Sequence, residues 1–289
     1  MDKPRILLQL DSDPLASAFD AVVAIDAGVD HLLQYHAVEP AQVRDLVYGA
    51  IFTRGADDLR RTAIFVGGSS VPAGEALVAA VCRTFLGPLR VSVMMDSNGA
   101  NTTAAAAVLA AGAHGPLSEA SVLVLGATGP VGQRVTRLLA QAGAPVRAAS
   151  RVLSRADEVC AAVRSHLAEA RVEPCVAGTP DEQAAALDGV SIVIAAGAAG
   201  RQLLSESTRR AASGLRVVVD LNAVPPYGLE GIDPRDRGSE RGGVAAYGAI
   251  GVGGTKMKIH KAAVRRLFES NDAVLDAEQI FELGRQLAL

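Results

Sequence analysis

Three glycines, Gly126, Gly129 and Gly132, punctuate the run VLVLGATGPVGQRVTRLLAQAG at residues 122–143, between a strand-like apolar stretch and an amphipathic helical pattern. At such a junction each glycine has a mechanical reading: one permits the tight turn, one lets backbone N–H groups approach a pyrophosphate, and one lets the helix pack close to the strand. Thr128, Pro130 and Val131 fill the turn and open the helix. The spacing is G-x-x-G-x-x-G, and the flanking strand and helix make it far more specific than a lone glycine triplet. Some two dozen residues on, the next strand ends at Ser150-Arg151, where an enzyme built for NAD usually carries an acidic residue for the ribose 2′-hydroxyl. Arg151, with Arg155 one helical turn later, can instead pair with a 2′-phosphate, so the sequence points to NADP with NAD as the alternative. A plainer reading leaves both as solvated surface charges. Ala196 and Gly197 follow the fourth strand of this region and Asn222 follows the fifth, both at the edge expected to meet the nicotinamide half.

A second set of polar residues precedes this turn. Ser97, Asn98, Asn101 and Thr102 supply neutral donors and acceptors in a Gly-containing turn before a helix, suited to an amide-rich heterocycle. Asn101 or Thr102 could equally cap that helix. Lys256 and His260 stand four apart, so on a helix they share a face. There Lys256 could hold an anionic or carbonyl-rich substrate, while His260 is read equally well as catalytic or as a buried structural histidine.

The elements that must position these residues alternate. An apolar run from Arg5 to Leu10 leads to a helix opening near Asp13-Pro14 that carries Phe19, Val22 and Val23. A second strand, Ala63 to Val66, ends in Gly67-Gly68 and precedes a helical pattern from Ala73 to Phe85. A third, Arg90 to Met95, leads to Asp96 and the Ala-rich helix Thr102 to Ala111. From Ser121 five strands are expected: Val122 to Leu125, Val146 to Ala149, Val172 to Val176, Ser191 to Ala195 and Arg216 to Asp220. Their apolar character on both faces predicts parallel strands covered by helices on two sides. After Pro225-Pro226 come a turn-rich region, a loop with Gly248, Gly251, Gly253 and Gly254, and two closing helices, Lys256 to Glu269 and Asp276 to Leu287. The fold expected is two α/β domains, the second a Rossmann-like doubly wound parallel sheet, with a cleft between them. The first spans 1–110, joined by 270–289, and the second 111–269.

Bulk properties narrow the class. The chain has 289 residues, a net charge of −3 and ten aromatic residues without tryptophan, which excludes a nucleic-acid platform. Charged residues recur often enough that no stretch could span a bilayer, and the N-terminus shows no secretory leader, so the cytoplasm is the expected compartment. Cys82, Cys160 and Cys175 are odd in number and far apart, and the histidines show no ligand spacing, so neither a disulfide framework nor a metal site is expected.

Four segments carry a family resemblance: AIFVGG at 63–68, MDSNGANTTAAA at 95–106, LGATGPVG at 125–132, and YGAIGVGGTKMKIHKA at 247–262 with LFES at 267–270. On these, nearly end to end, the chain resembles the NAD(P)-dependent methylene-tetrahydromethanopterin dehydrogenases of methylotrophic bacteria. The resemblance implies a two-domain subunit with a pterin cleft, a homotrimer, and one-carbon oxidation downstream of formaldehyde. It implies hydride loss from a methylene carbon flanked by two amine nitrogens, a reaction that needs alignment and a carboxylate to favour the developing positive charge. Asp20 is the candidate carboxylate and Lys256 the pterin anchor. The same chemistry on methylene-tetrahydrofolate, a shikimate-type dehydrogenase and a non-catalytic NADP-sensing module stay open as alternatives.

Overall fold

A computed structural model describes residues 3–287. The chain divides into two compact units, one running through Thr102 and resuming at Met257, the other spanning Thr103–Lys256. Both crossings fall inside continuous helices, where no change of composition marks a boundary. They therefore differ from the expected limits at 110/111 and 269/270, whose outermost residues, 1–2 and 288–289, lie outside those described.

The first unit holds a five-stranded, wholly parallel sheet ordered β12-β4-β3-β1-β2, formed by β1 (Ile6–Leu10), β2 (His31–Tyr35), β3 (Thr62–Val66), β4 (Ser92–Met95) and β12 (Val274–Leu275). Helices α1 (Ala18–Asp26), α2 (Val43–Ile51), α3 (Val71–Thr84) and the start of α4 (Ala100–Gly112) connect these strands, and α10 (Ala277–Gln286) closes the chain. One core cluster packs Leu8, Leu10, Ile64, Val66 and Val93 of the sheet against Val43, Val47, Leu77 and Val81. Every residue of β3 is buried, as a central parallel strand covered on both faces requires.

Strand β2 and helix α2 lie where no element was expected. β2 is the sheet edge, with only Leu32 and Tyr35 partly covered, so its apolar signal is weak. The first helix also begins later than Asp13-Pro14. Asp11 accepts the N–H groups of Asp13 and Ser17 at 2.9 and 3.0 Å, holding that stretch as a loop, and Ser17 then caps α1 by accepting from the Asp20 N–H. Of the three apolar residues this helix is expected to carry, Val23 is buried while Phe19 and Val22 are exposed.

The second unit carries a seven-stranded sheet ordered β10-β11-β9-β8-β5-β6-β7, parallel except for the β10–β11 hairpin. Its parallel strands are β5 (Val122–Leu125), β6 (Val146–Ser150), β7 (Val172–Val176), β8 (Ile192–Ala195) and β9 (Val217–Asp220), at the expected places. Helices α5 (Pro130–Gln141), α6 (Leu153–His166), α7 (Pro180–Leu187) and α8 (Glu206–Ala211) connect them. The order reverses between β5 and β8, the doubly wound arrangement whose crevice opens at that switch. The turn-rich region after Pro226 contains two strands in place of turns alone, β10 (Arg237–Arg241) and β11 (Val244–Tyr247).

The Gly-rich segment expected as a loop is helical. α9 runs Ala249–Arg266. A β-carbon on Gly251 would lie 1.8 Å from the Asp236 carbonyl oxygen, and one on Gly248 2.1 Å from that of Asp233. These glycines let the start of α9 press against the 233–236 backbone, a packing requirement that sequence composition cannot separate from flexibility. Among the described residues no helix is long and apolar enough to cross a membrane.

Candidate functional site

Strand register places chemistry in two rows. In the first sheet Leu10 pairs with Val66 and Val66 with Met95, so Asp11, Gly67 and Asp96 follow side by side at the carboxyl edge. The order β2-β1-β3-β4 reverses between β1 and β3, the switch at which an open parallel sheet leaves a crevice. A β-carbon on Gly67 would sit 3.3 Å from Asp11 Oδ2 and 3.4 Å from Asp20 Oδ2, so glycine there leaves room for two carboxylates.

Asp96 organises the start of α4. One of its oxygens accepts the N–H groups of Asn101 and Thr102, both at 3.0 Å, and the other accepts the Thr102 hydroxyl at 2.6 Å. His260 Nδ1 lies 3.9 Å from Asp96 Oδ2, with both side chains buried. The imidazole stacks on Phe65, ring centroids 5.6 Å apart and planes inclined by 18°. Burial raises the Asp20 carboxyl above its ordinary range, opposed by the His260 charge and the Ser17 hydrogen bond. A half-buried carboxylate beside a buried imidazole is thus available to a cationic or proton-bearing group.

Of the four polar residues assigned to substrate, three are engaged inside the protein. Ser97 donates to the Gly67 carbonyl at 2.8 Å, Asn101 to the Met95 carbonyl and to Asp276 at 2.7 and 2.9 Å, and Thr102 to Asp96. They shape the floor of this edge. Asn98 differs: it is exposed and adopts a left-handed backbone with φ of 55°. Lys256 is half-buried, one helical turn before His260 on α9.

In the second sheet Leu125 pairs with both Ala149 and Ala195, so Ser150, Gly126 and Ala196 form the corresponding row. The three glycines of the turn divide their work. Gly126, at φ of +72°, has no room for a β-carbon, which would meet Gly197 Cα at 2.7 Å. One on Gly132 would strike the Gly126 carbonyl oxygen at 2.2 Å, so this glycine seats α5 on the strand end. Gly129 caps α5 from an ordinary extended backbone, and a β-carbon there meets nothing closer than 3.5 Å. Gly129 thus stands at the positive end of a twelve-residue helix with only ordinary contacts over it, a position suited to an anion.

A cavity of about 520 Å³ opens at this edge. Of the residues assigned to the cofactor, Gly126, Thr128, Gly129, Ser150, Arg151, Arg155, Ala196 and Gly197 line it. Pro130, Val131, Gly132 and Asn222 do not line it. The first three build the first turn of α5, and Asn222 supports a loop by accepting from Val224 N–H at 2.9 Å and donating to the Pro226 carbonyl at 3.0 Å. The Ser150 hydroxyl accepts from Val152 N–H at 3.2 Å, shaping the turn that carries Arg151. Arg201, Gln202 and Leu203 also line the cavity and were not anticipated, because they lie beyond a glycine-interrupted loop that matches no motif. Among the described residues no carboxylate lines it, and its fixed charges are three guanidinium groups, which fits a polyphosphorylated cofactor.

A doubly wound sheet with a glycine turn, an open helix N-terminus and an arginine-rimmed cavity at the switch point defines a dehydrogenase-type dinucleotide-binding protein. Its fold resembles that of shikimate 5-dehydrogenase from Listeria monocytogenes, solved in complex with shikimate and NAD, with a TM-score of 0.56 at 13% identity over 97% of this chain and 96% of that one. Residues 18–98 match the family model described as methylene-tetrahydromethanopterin dehydrogenase, N-terminal. Bifunctional protein MdtA of Methylorubrum extorquens is 43% identical over 98% of this chain and 99% of its own length. An NAD(P)-dependent methylenetetrahydromethanopterin dehydrogenase of the same organism is 29% identical, over 94% of this chain and 95% of the relative. The chain belongs to the methylene-tetrahydromethanopterin dehydrogenase family.

Proposed function

We propose that the protein oxidises methylene-tetrahydromethanopterin to the methenyl form, passing a hydride to NADP. The observation that carries this reading is the pairing, in one chain of this family, of an anion-binding turn rimmed by Arg151 and Arg155 with an edge built from Asp11, Asp20, Asp96 and His260. The bound nicotinamide supplies a hydride acceptor. The turn at Gly126, Gly129 and Gly132 would hold its pyrophosphate, Arg151 its 2′-phosphate, and Ala196-Gly197 the wall beside it.

The substrate carbon lies between two amine nitrogens whose lone pairs stabilise the cation left when hydride departs. No proton leaves that carbon, so the side chains need only align the reactants and favour positive charge. Asp20 serves that second purpose, and His260, held against Phe65 and near Asp96, fixes the geometry beside it. Lys256 is the residue assigned to the carbonyl-rich end of the pterin, and the exposed Asn98 offers an amide. We further infer a cytoplasmic homotrimer, which light scattering of the purified protein tests.

The direct test is a steady-state assay of methylene-tetrahydromethanopterin and methylene-tetrahydrofolate, each with NADP and NAD, following methenyl absorbance. The expected outcome is turnover of the methanopterin with NADP preferred. Turnover of the folate alone would reassign the substrate, and no methenyl product from either would remove the catalytic reading.

A further inference from the structure

We infer that Arg201 is a phosphate-binding residue for the dinucleotide, acting on the pyrophosphate shared by NAD and NADP; this rests on the dinucleotide reading above. The loop after β8 is built to bring a cation to that spot. It starts on the glycine turn itself, since a β-carbon on Gly126 would touch both the Cα and the nitrogen of Gly197, at 2.7 and 2.8 Å. The Gly200 N–H donates to Asn222 Oδ1 at 3.4 Å, with the Gly200 backbone at φ of +69°. The N–H groups of Leu203 and Leu204 both donate to the Gly228 carbonyl, at 2.8 and 3.1 Å. Arg201 therefore extends from a segment tied down on both sides, and it is one of the residues that line the cavity.

The supports of that segment are themselves anchored. Asp220, at the end of β9, accepts Asn222 N–H at 3.0 Å and Leu229 N–H at 2.8 Å, fixing the loop that carries Asn222 and Gly228. Beneath Gly197 the Leu203 side chain fills the space a β-carbon would need, at 2.6 Å. Replacing Gly197 or Asn222 would displace Arg201 indirectly.

Sheet order separates Arg201 from the other two arginines. Arg151 and Arg155 follow β6, on one side of β5, whereas Arg201 follows β8, on the other side. The pyrophosphate cradle at Gly129 lies on β5's own turn, between them. Because the β8 loop abuts Gly126, Arg201 stands on the pyrophosphate side, and the β6 arginines take the 2′-phosphate end. The two groups divide the ligand: Arg201 contributes affinity common to both dinucleotides, and Arg151 contributes discrimination.

Isothermal titration of wild type, Arg201→Ala, Arg201→Lys and Arg151→Ala with NADP and with NAD tests this division. Loss of one charge-assisted contact predicts that Arg201→Ala weakens both dinucleotides by a similar factor, about tenfold, while their affinity ratio is preserved. Arg201→Lys is expected to recover part of the loss for both. Arg151→Ala, in contrast, is expected to collapse the ratio. Unchanged affinity for both ligands in Arg201→Ala would overturn the assignment, as would a loss confined to NADP. Wild type that binds neither dinucleotide would remove the cofactor reading and this inference with it, a result separable from failure of Arg201 alone.

Discussion

The two sheets end in matching rows with opposite electrostatics. At the carboxyl edge of the first stand Asp11, Gly67 and Asp96, with Asp20 and the buried His260 close by. At that of the second stand Ser150, Gly126 and Ala196, with three arginines and, among the described residues, no carboxylate around the cavity. Both rows lie at a reversal of strand order, where a parallel sheet leaves a crevice. The shared topology supplies a place for a ligand; the residues just past each strand decide the sign of the charge it prefers. On the proposed function, one edge favours a group that becomes positive and the other a group that arrives negative.

The largest effect should come from the acidic edge. Asp20→Asn is expected to lower kcat about a hundredfold, the scale of removing one preorganised electrostatic contact, while dinucleotide affinity measured by titration stays near wild type. Burial raises the Asp20 carboxyl above the ordinary range, so the wild-type rate should fall as pH drops through a value above that of a free aspartate. Below it the side chain is neutral and no longer favours positive charge. A pH–rate profile should show this acid limb in wild type and lack it in Asp20→Asn.

Next in size is a structural break at the other edge. Gly132→Ala drives a β-carbon into the Gly126 carbonyl, a backbone atom that cannot swing aside. We expect a loss of about 1–3 kcal/mol or more, read as a lowered denaturation midpoint in urea. Smaller and more selective is Arg151→Ala, expected to raise KM for NADP about tenfold and to change that for NAD little. Equal losses for both cofactors would erase the proposed division between the β6 and β8 arginines. Arg155→Ala, one helical turn further along α6, should repeat the pattern at a few-fold.

Much of the second sheet was legible in the sequence. The strands β5 to β9 are continuous apolar runs bounded by turn residues, and the glycine spacing at 126, 129 and 132 requires a strand on one side and a helix on the other. Less visible was the edge strand β2, whose His31, Gln34 and exposed Leu33 dilute the apolar signal. Helix α2 carried a readable signal in Val43, Leu46, Val47 and Ala50, spaced for one helical face. Gly248 and Gly251 read as part of a loop but serve contact, because composition does not reveal which backbone lies opposite a glycine. Ser97, Asn101 and Thr102 show the same limit for polar residues. Their types suit a heterocycle, yet their donors are spent on Gly67, Met95, Asp276 and Asp96. The place of Arg201 at the cavity was hidden because its loop is held by two clamps, from Asn222 and Gly228, that lie more than twenty residues away.

Gly129 offers the most direct trial of the central claim, that a dinucleotide pyrophosphate lies over the turn between β5 and α5. Its φ of −76° is open to any residue, and a β-carbon there meets only ordinary contacts, so Gly129→Val should fold while filling the cradle. Titration with NADP is expected to show affinity reduced about a hundredfold or more in a variant whose circular dichroism matches wild type. A correctly folded Gly129→Val protein that bound NADP as tightly as wild type would contradict the account.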